Sequence, residues 1–91
     1  MILNWPDKDP NETLDYRLNW RARIVTGDSI LTSVWSSPAG ITKGANTFTT
    51  YTTTLWLSGG TTGTTYAFTN TITTAEGRIM EQSVQVKLVD K

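Results

Sequence analysis

Apolar and polar residues alternate with a period of two over residues 14–24. Such alternation indicates a β-strand with one face on a hydrophobic core. Turn-forming residues follow at 26–29, and residues 30–35 form a second apolar run, so we expect a β-hairpin. The inward face of the first strand carries Leu14, Tyr16, Leu18, Trp20, Ala22 and Ile24, and its outward face carries Asp15, Arg17, Asn19, Arg21 and Arg23.

The middle of the chain contains further strands separated by strand-breaking residues. Pro38 and Gly40 end the second strand, because proline lacks a backbone donor and glycine has no side chain to pack. Residues 47–57 are expected to form a third β region that divides into two strands near Tyr51. The glycine-rich residues 58–63 then form a corner.

The end of the chain returns to clear alternation, at residues 65–74 and again at residues 79–89. With a short strand near residues 2–5, the sequence predicts six or seven strands. We therefore expect an all-β fold, a sandwich of two antiparallel sheets. Residues 1–91 are interpreted as one domain, with residues 1–13 as an N-terminal strand and acidic loop.

The composition supports strands and excludes most catalytic chemistry. Threonine, which is β-branched and favours sheets, supplies 18 of the 91 residues. The chain has no Cys and no His, so thiol nucleophiles, thiolate metal sites and histidine bases are absent. Eight basic and eight acidic residues give no net charge, which argues against nucleic acid or a membrane as the main partner. We predict no enzymatic activity, no catalytic residues and no cofactor or metal.

Two tryptophans stand out as candidates for a binding surface. Trp35 and Trp56 have the opposite parity to the apolar residues beside them, so both face outward if their strands are regular. A β-bulge would instead turn them into the core, and the sequence leaves this alternative open. Arg17 and Arg21, on the outward face of the first long strand, are candidates for the same partner-binding surface.

The C-terminal third of the chain resembles the last two strands of a fibronectin type III domain, within the immunoglobulin-like sandwiches. The resemblance rests on residues 63–68, on Glu76-Gly77-Arg78 and on the Val-x-Val-x-Leu strand that follows. It implies that Tyr66 forms a tyrosine corner, whose hydroxyl bonds to the corner backbone, and that Trp20 is a core tryptophan. It implies nothing about function.

A second resemblance covers most of the chain. Residues 5–16, Asn19-Trp20, residues 27–30, residues 56–61 and residues 63–66 are similar to small virion proteins of bacteriophages and prophages, the fibre–tail adaptors. The resemblance implies a structural protein that docks to other virion proteins or to copies of itself, with homo-oligomers as one outcome. It also implies assembly in the bacterial cytoplasm and a final place in the phage tail.

Two other interpretations stay open. Trp35 and Trp56 could stack on sugar rings, which would make the chain a carbohydrate-binding or adhesion module. Asp7, Asp9 and Asn11 have the first spacings of a calcium loop, but the glycine and the later carboxylate that such a loop needs are missing. We therefore interpret the acidic segment as a loop whose side chains cap turns, and a weak calcium site near Asp7 and Asp9, built with Asp15, stays open as the alternative.

Overall fold

The computed structural model describes residues 2–91, and all regular elements in this range are β-strands. The strands are β1 (Ile2–Asn4), β2 (Leu14–Asn19), β3 (Ile30–Ser36), β4 (Ile41–Phe48), β5 (Thr52–Gly59), β6 (Thr65–Thr74) and β7 (Ile79–Lys87). They pack as two open sheets, one of four strands in the order β1-β7-β6-β3 and one of three in the order β2-β5-β4. The predicted all-β sandwich is confirmed. The described residues contain no membrane-spanning helix.

The last two strands follow the predicted pattern closely. β6 and β7 pair as an antiparallel hairpin, with Thr65 opposite Lys87 and Thr73 opposite Ile79. Gly77 lies in the connecting turn with a φ of 88°, a left-handed conformation that glycine adopts without steric cost. Most inward residues of the two strands are buried, and Met80 and Gln82 of β7 are half-buried. The buried ones are Tyr66, Phe68, Asn70, Ile72, Thr74, Val84 and Val86.

The predicted hairpin between the first two long strands is wrong. β2 pairs with β5, and β3 pairs with β6, so the two strands belong to different sheets. β2 also ends at Asn19, because the backbone N–H groups of Arg23 and Ile24 both donate to the carbonyl of Trp20 and close a helical turn. In this turn Ala22 is exposed, not inward-facing as the alternation predicted.

Two further features differ from the prediction. β1 runs parallel to β7, so the four-stranded sheet is mixed and only the three-stranded sheet is fully antiparallel. β4 begins at Ile41, whereas the sequence predicted a strand only from Thr47. Seven of the eight residues of β4 are exposed, so this strand has no alternation of apolar and polar positions that could reveal it.

The core lies between the two sheets and is rich in aromatic residues. The Trp5 ring stacks on Tyr16 with centroids 4.8 Å apart, so the N-terminal segment closes one side of the sandwich. The buried apolar residues are Trp5, Tyr16, Leu18, Trp20, Ile24, Ile30, Trp35, Ile41, Leu55, Leu57, Tyr66, Phe68, Ile72, Val84, Val86 and Leu88.

Candidate docking surface

Trp35 is buried, with only 3% of its surface exposed. The register of β3 against β6 shifts between Ile30 and Thr32, so Leu31 is the extra residue of a β-bulge. The bulge reverses the alternation along β3, and the Trp35 ring turns inward to lie 5.6 Å from the ring of Trp5. The outward-facing interpretation of Trp35 is therefore wrong, and so is a platform of two exposed tryptophans.

Trp56 is 41% exposed, and it is the one exposed tryptophan of the four in the chain. Leu55 and Leu57 on either side are fully buried, so β5 alternates regularly and Trp56 faces outward as predicted. It lies opposite Asp15 of β2 and faces a bulge of β4. In that bulge, a Cβ at Gly44 would lie 3.3 Å from the Cβ of Trp56, so glycine lets the two strands approach closely.

The outward side chains of β2 and β5 form a surface that we call the Trp56 face. Arg17 lies on it opposite Thr54, and its guanidinium is 3.5 Å from the Asp15 carboxylate. The Arg17 side chain is 69% exposed, so the ion pair is solvated and can exchange partners at little cost. The face consists of Asp15, Arg17, Asn19, Thr52, Thr54 and Trp56.

Arg21 does not lie in a row with Arg17, because β2 ends before it. Its guanidinium carbon lies 5.2 Å from the centre of the Tyr51 ring, in the range of a cation–π contact. Arg21 and Tyr51 line a cavity of about 140 Å³ together with Ile24 and Thr26. The structure therefore places Arg21 beyond the end of β2, where it is exposed.

Trp20 anchors a buried polar network that links the two sheets. Its indole Nε1 donates to Thr53 Oγ1 on β5 (3.2 Å) and to Asn70 Oδ1 on β6 (3.1 Å). Thr53 also donates to Asn70 Oδ1 (2.7 Å), and Asn70 Nδ2 donates to Ser33 Oγ and to the carbonyl of Val34 on β3. Residues of both sheets thus belong to one hydrogen-bonded network in the core.

Tyr66 is the second residue of β6 and is buried beside the glycine-rich corner that precedes this strand. Its hydroxyl accepts a hydrogen bond from the backbone N–H of Thr61 at 3.0 Å, so the bond to the corner backbone is present. The hydroxyl also donates to the carbonyl of Gly40 at 3.4 Å. Tyr66 therefore ties the corner to the segment between β3 and β4.

The sequence pattern did not predict the environment of Asp28. Its side chain is fully buried, and Oδ1 accepts hydrogen bonds from the backbone N–H groups of Ser29 and Glu76. Arg78 donates to Asp28 Oδ2 at 2.8 Å and to Glu76 Oε2 at 3.1 Å. Burial raises the pKa of Asp28, but hydrogen bonds from Thr74, Ser29, Arg78 and Glu76 outweigh this effect and lower the pKa to about 2.

The acidic N-terminal loop is held by its own hydrogen bonds. Asp9 Oδ1 accepts from the backbone N–H of Asn11, the turn-capping role that the sequence predicts, and Oδ2 accepts from that of Lys91. Lys8 is fully buried, and its ammonium donates to the carbonyls of Asp9 and Gly59. Within residues 2–91, no group of three acidic, His or Cys side chains is placed to hold a metal ion.

A comparison with models of protein families shows to which family this chain belongs. A family model described as podophage GP4 fiber-tail adaptor protein gp77 matches residues 8–87, which include every strand except β1. The chain belongs to this family. No individual curated protein matches it. Membership in the adaptor family supports a structural role in a phage tail, a place in the virion and contact with other virion proteins.

Proposed function

We propose that the chain is a non-enzymatic adaptor that docks to a neighbouring virion protein through the Trp56 face. The observation that carries the proposal is the exposure of Trp56, because three of the four tryptophans are buried and this one is left on an outer sheet surface. An exposed tryptophan on a sheet is typical of an interface anchor. Assembly would take place in the bacterial cytoplasm, before the particle is complete.

The surroundings of Trp56 suit a protein partner. Thr52 and Thr54 are half-buried, so they give β5 a flat surface with few mobile groups beside the indole. Arg17 and Asp15 neutralise each other in the free protein. On docking, Arg17 can pair with a carboxylate of the partner. This ion pair would add specificity at the edge of the interface, around the Trp56 ring from which water is excluded.

Arg21 would make a second contact beyond the end of β2. Its contact with Tyr51 orders the guanidinium, and no carboxylate lies within ion-pair distance of it in the part of the chain that the structure describes. A guanidinium with unused donors at a surface is a common partner for acidic side chains at protein interfaces. We therefore assign Arg21 to the rim of the docking surface.

The absence of catalysis is part of the proposal. Asp28 and Glu76 form one pair of neighbouring carboxylates, and both bind Arg78. Asp9 and Glu12 form another pair, and both bind Lys91. A carboxyl group with a pKa of about 2 is a poor general base near neutral pH, since the efficient catalytic pKa lies close to the working pH. The buried side of Asp28 is also filled by hydrogen-bond donors from its own chain.

The proposal is tested by complementation. Particles assembled without this protein are supplied with purified wild type, with Trp56→Ala or with Val25→Ala, and fibre content and infectious titre are measured. Val25 is a suitable control because it is 52% exposed but lies outside the Trp56 face. We expect Trp56→Ala to give a fibre content and an infectious titre about tenfold or more below those obtained with wild type, because an interface anchor is lost. We expect Val25→Ala to restore both to the wild-type level. Equal restoration by both variants would contradict the proposal.

Carbohydrate binding through Trp56 is the alternative function of the same surface. With Trp35 buried, Trp56 is the one tryptophan on which a sugar could stack. Binding of a glycan array by the free protein, lost in Trp56→Ala, would replace the adaptor mechanism by carbohydrate recognition.

A further inference from the structure

The edge strands of the two sheets differ in how well they are protected. An edge strand exposes backbone N–H and C=O groups that can pair with a strand from another molecule, and proteins usually block such edges. The two open sheets have four edge strands, β1, β3, β2 and β4.

Three of these edges are short or blocked. β1 has only three residues. On β2, the carbonyl of Arg17 accepts a hydrogen bond from Trp5 Nε1 at 3.0 Å. On β3, the carbonyl of Trp35 accepts a hydrogen bond from Lys43 Nζ at 2.8 Å, and the N–H of Ile30 donates to the carbonyl of Thr50.

β4 lacks comparable protection. It is eight residues long, seven of them are exposed, and its backbone pairs with β5 on one side only. Among the described residues, no side chain donates to or accepts from its backbone at the free edge. Its single charged residue is Lys43, whose ammonium donates to the carbonyl of Trp35. The bulge at Gly44 is its one irregularity.

We infer that the free edge of β4 pairs antiparallel with β4 of a second copy of this chain, around a two-fold axis. Antiparallel pairing of one strand with itself is the self-complementary contact that such an axis requires. Each β4 carries a single charge, that of Lys43, and the ammonium is held at the carbonyl of Trp35 on β3. The N–H and C=O groups of each edge are then satisfied by the other copy.

The pairing would join two three-stranded sheets into one sheet of six strands. A two-fold axis perpendicular to the sheet keeps the outer faces on the same side, so both copies of Trp56 would lie on one continuous surface. Three strand spacings separate the two β5 strands, roughly 14 Å. The inference is independent of the function of Trp56, because it concerns the strand edge and would hold if that residue bound nothing.

Single cysteines provide a direct test, since the chain has none of its own. Thr42→Cys, Asn46→Cys and Thr47→Cys are placed along β4, and Ile79→Cys, at a site 73% exposed in the other sheet, is the control. Disulfides need Cα atoms within about 7 Å, so positions near the two-fold axis should cross-link. We expect a disulfide-linked dimer from at least one β4 variant under mild oxidation, at a concentration where the control stays monomeric.

The non-covalent dimer is measured by light scattering after size-exclusion chromatography. Thr47→Lys adds a charge to each facing edge, so we expect dimerisation to weaken by about tenfold or more, while Ile79→Lys leaves it unchanged. Circular dichroism verifies that each variant keeps its strands. A wild type that stays monomeric at high concentration, a dimer insensitive to Thr47→Lys, or β4 cysteines that link only to a different virion protein would each overturn the inference.

Discussion

At the scale of single residues, the carboxylate of Asp28 joins two turns at one end of the sandwich. It accepts hydrogen bonds from Ser29, which precedes β3, and from Glu76 and Arg78 in the turn between β6 and β7. Because these donors favour the ionised form, the pKa of Asp28 falls from 3.8 to about 2. The folded state therefore binds this proton less tightly than the unfolded state does.

This shift predicts a specific dependence of stability on pH. A lowered pKa in the folded state contributes stability that is fully present above about pH 4 and is lost as the pH falls towards 2. Asp28→Asn removes this contribution, so the difference in the free energy of unfolding between wild type and variant should shrink over that range. Urea unfolding at pH 6, 4, 3 and 2 measures it. A difference that stays constant across these pH values would contradict the assignment.

At the scale of strands, two buried tryptophans differ in how their indole N–H groups are satisfied. Nε1 of Trp20 donates to Thr53 on β5 and to Asn70 on β6, whereas Nε1 of Trp35 has no hydrogen-bond partner among the described residues. Both rings are at least 97% buried, so their packing is similar in extent. A comparison of Trp20 with Trp35 therefore isolates what the hydrogen-bonded network between the sheets contributes to stability.

We expect Trp20→Phe to destabilise the protein by about 1–2 kcal/mol more than Trp35→Phe. The first substitution removes the buried hydrogen bonds from Trp20 Nε1 to Thr53 Oγ1 and Asn70 Oδ1, of which Asn70 Oδ1 keeps only the bond from Thr53. The second substitution removes a donor that had no partner. Chemical denaturation of both variants gives the comparison, since both lose the same atoms. Equal losses of stability would mean that the network does not hold the sheets together.

How much of the fold the sequence predicts depends on the burial of each strand. β6 has one fully buried face and β7 has one in its second half, so their alternation is clear and the predicted bounds nearly match. β4 has almost no buried residue, and therefore it left no signal at Ile41 to Asn46. The turn at residues 26–29 was visible, but local turn signals do not reveal which strand becomes the neighbour, and β2 and β3 joined different sheets.

The candidate site was predictable in part for the same reason. Trp56 lies in a regular strand, so its parity gave the correct face. Trp35 follows a bulge whose extra residue, Leu31, is a good strand former and gives no sign of irregularity in the sequence. Arg21 lies in a helical turn that interrupts an otherwise perfect alternation, so the predicted row of arginines does not form.

At the scale of the whole molecule, the chain is a small β-sandwich without net charge, and we propose that it acts through its surfaces. The chain carries no net charge, so long-range attraction would contribute little to its docking. In the docking that we propose, the Trp56 face supplies the aromatic anchor, and the free edge of β4 supplies backbone groups beside it. Membership in the fibre–tail adaptor family supports a structural role in a phage tail.

The central claim is that Trp56 is covered when the adaptor is in the particle, and hydroxyl-radical footprinting with mass spectrometry tests it most directly. In the free protein we expect Trp56 to be oxidised while the three buried tryptophans, Trp5, Trp20 and Trp35, stay largely unmodified. In assembled particles we expect oxidation of Trp56 to fall to the level of these three. Trp56 that is oxidised equally in the free protein and in the particle would contradict the account.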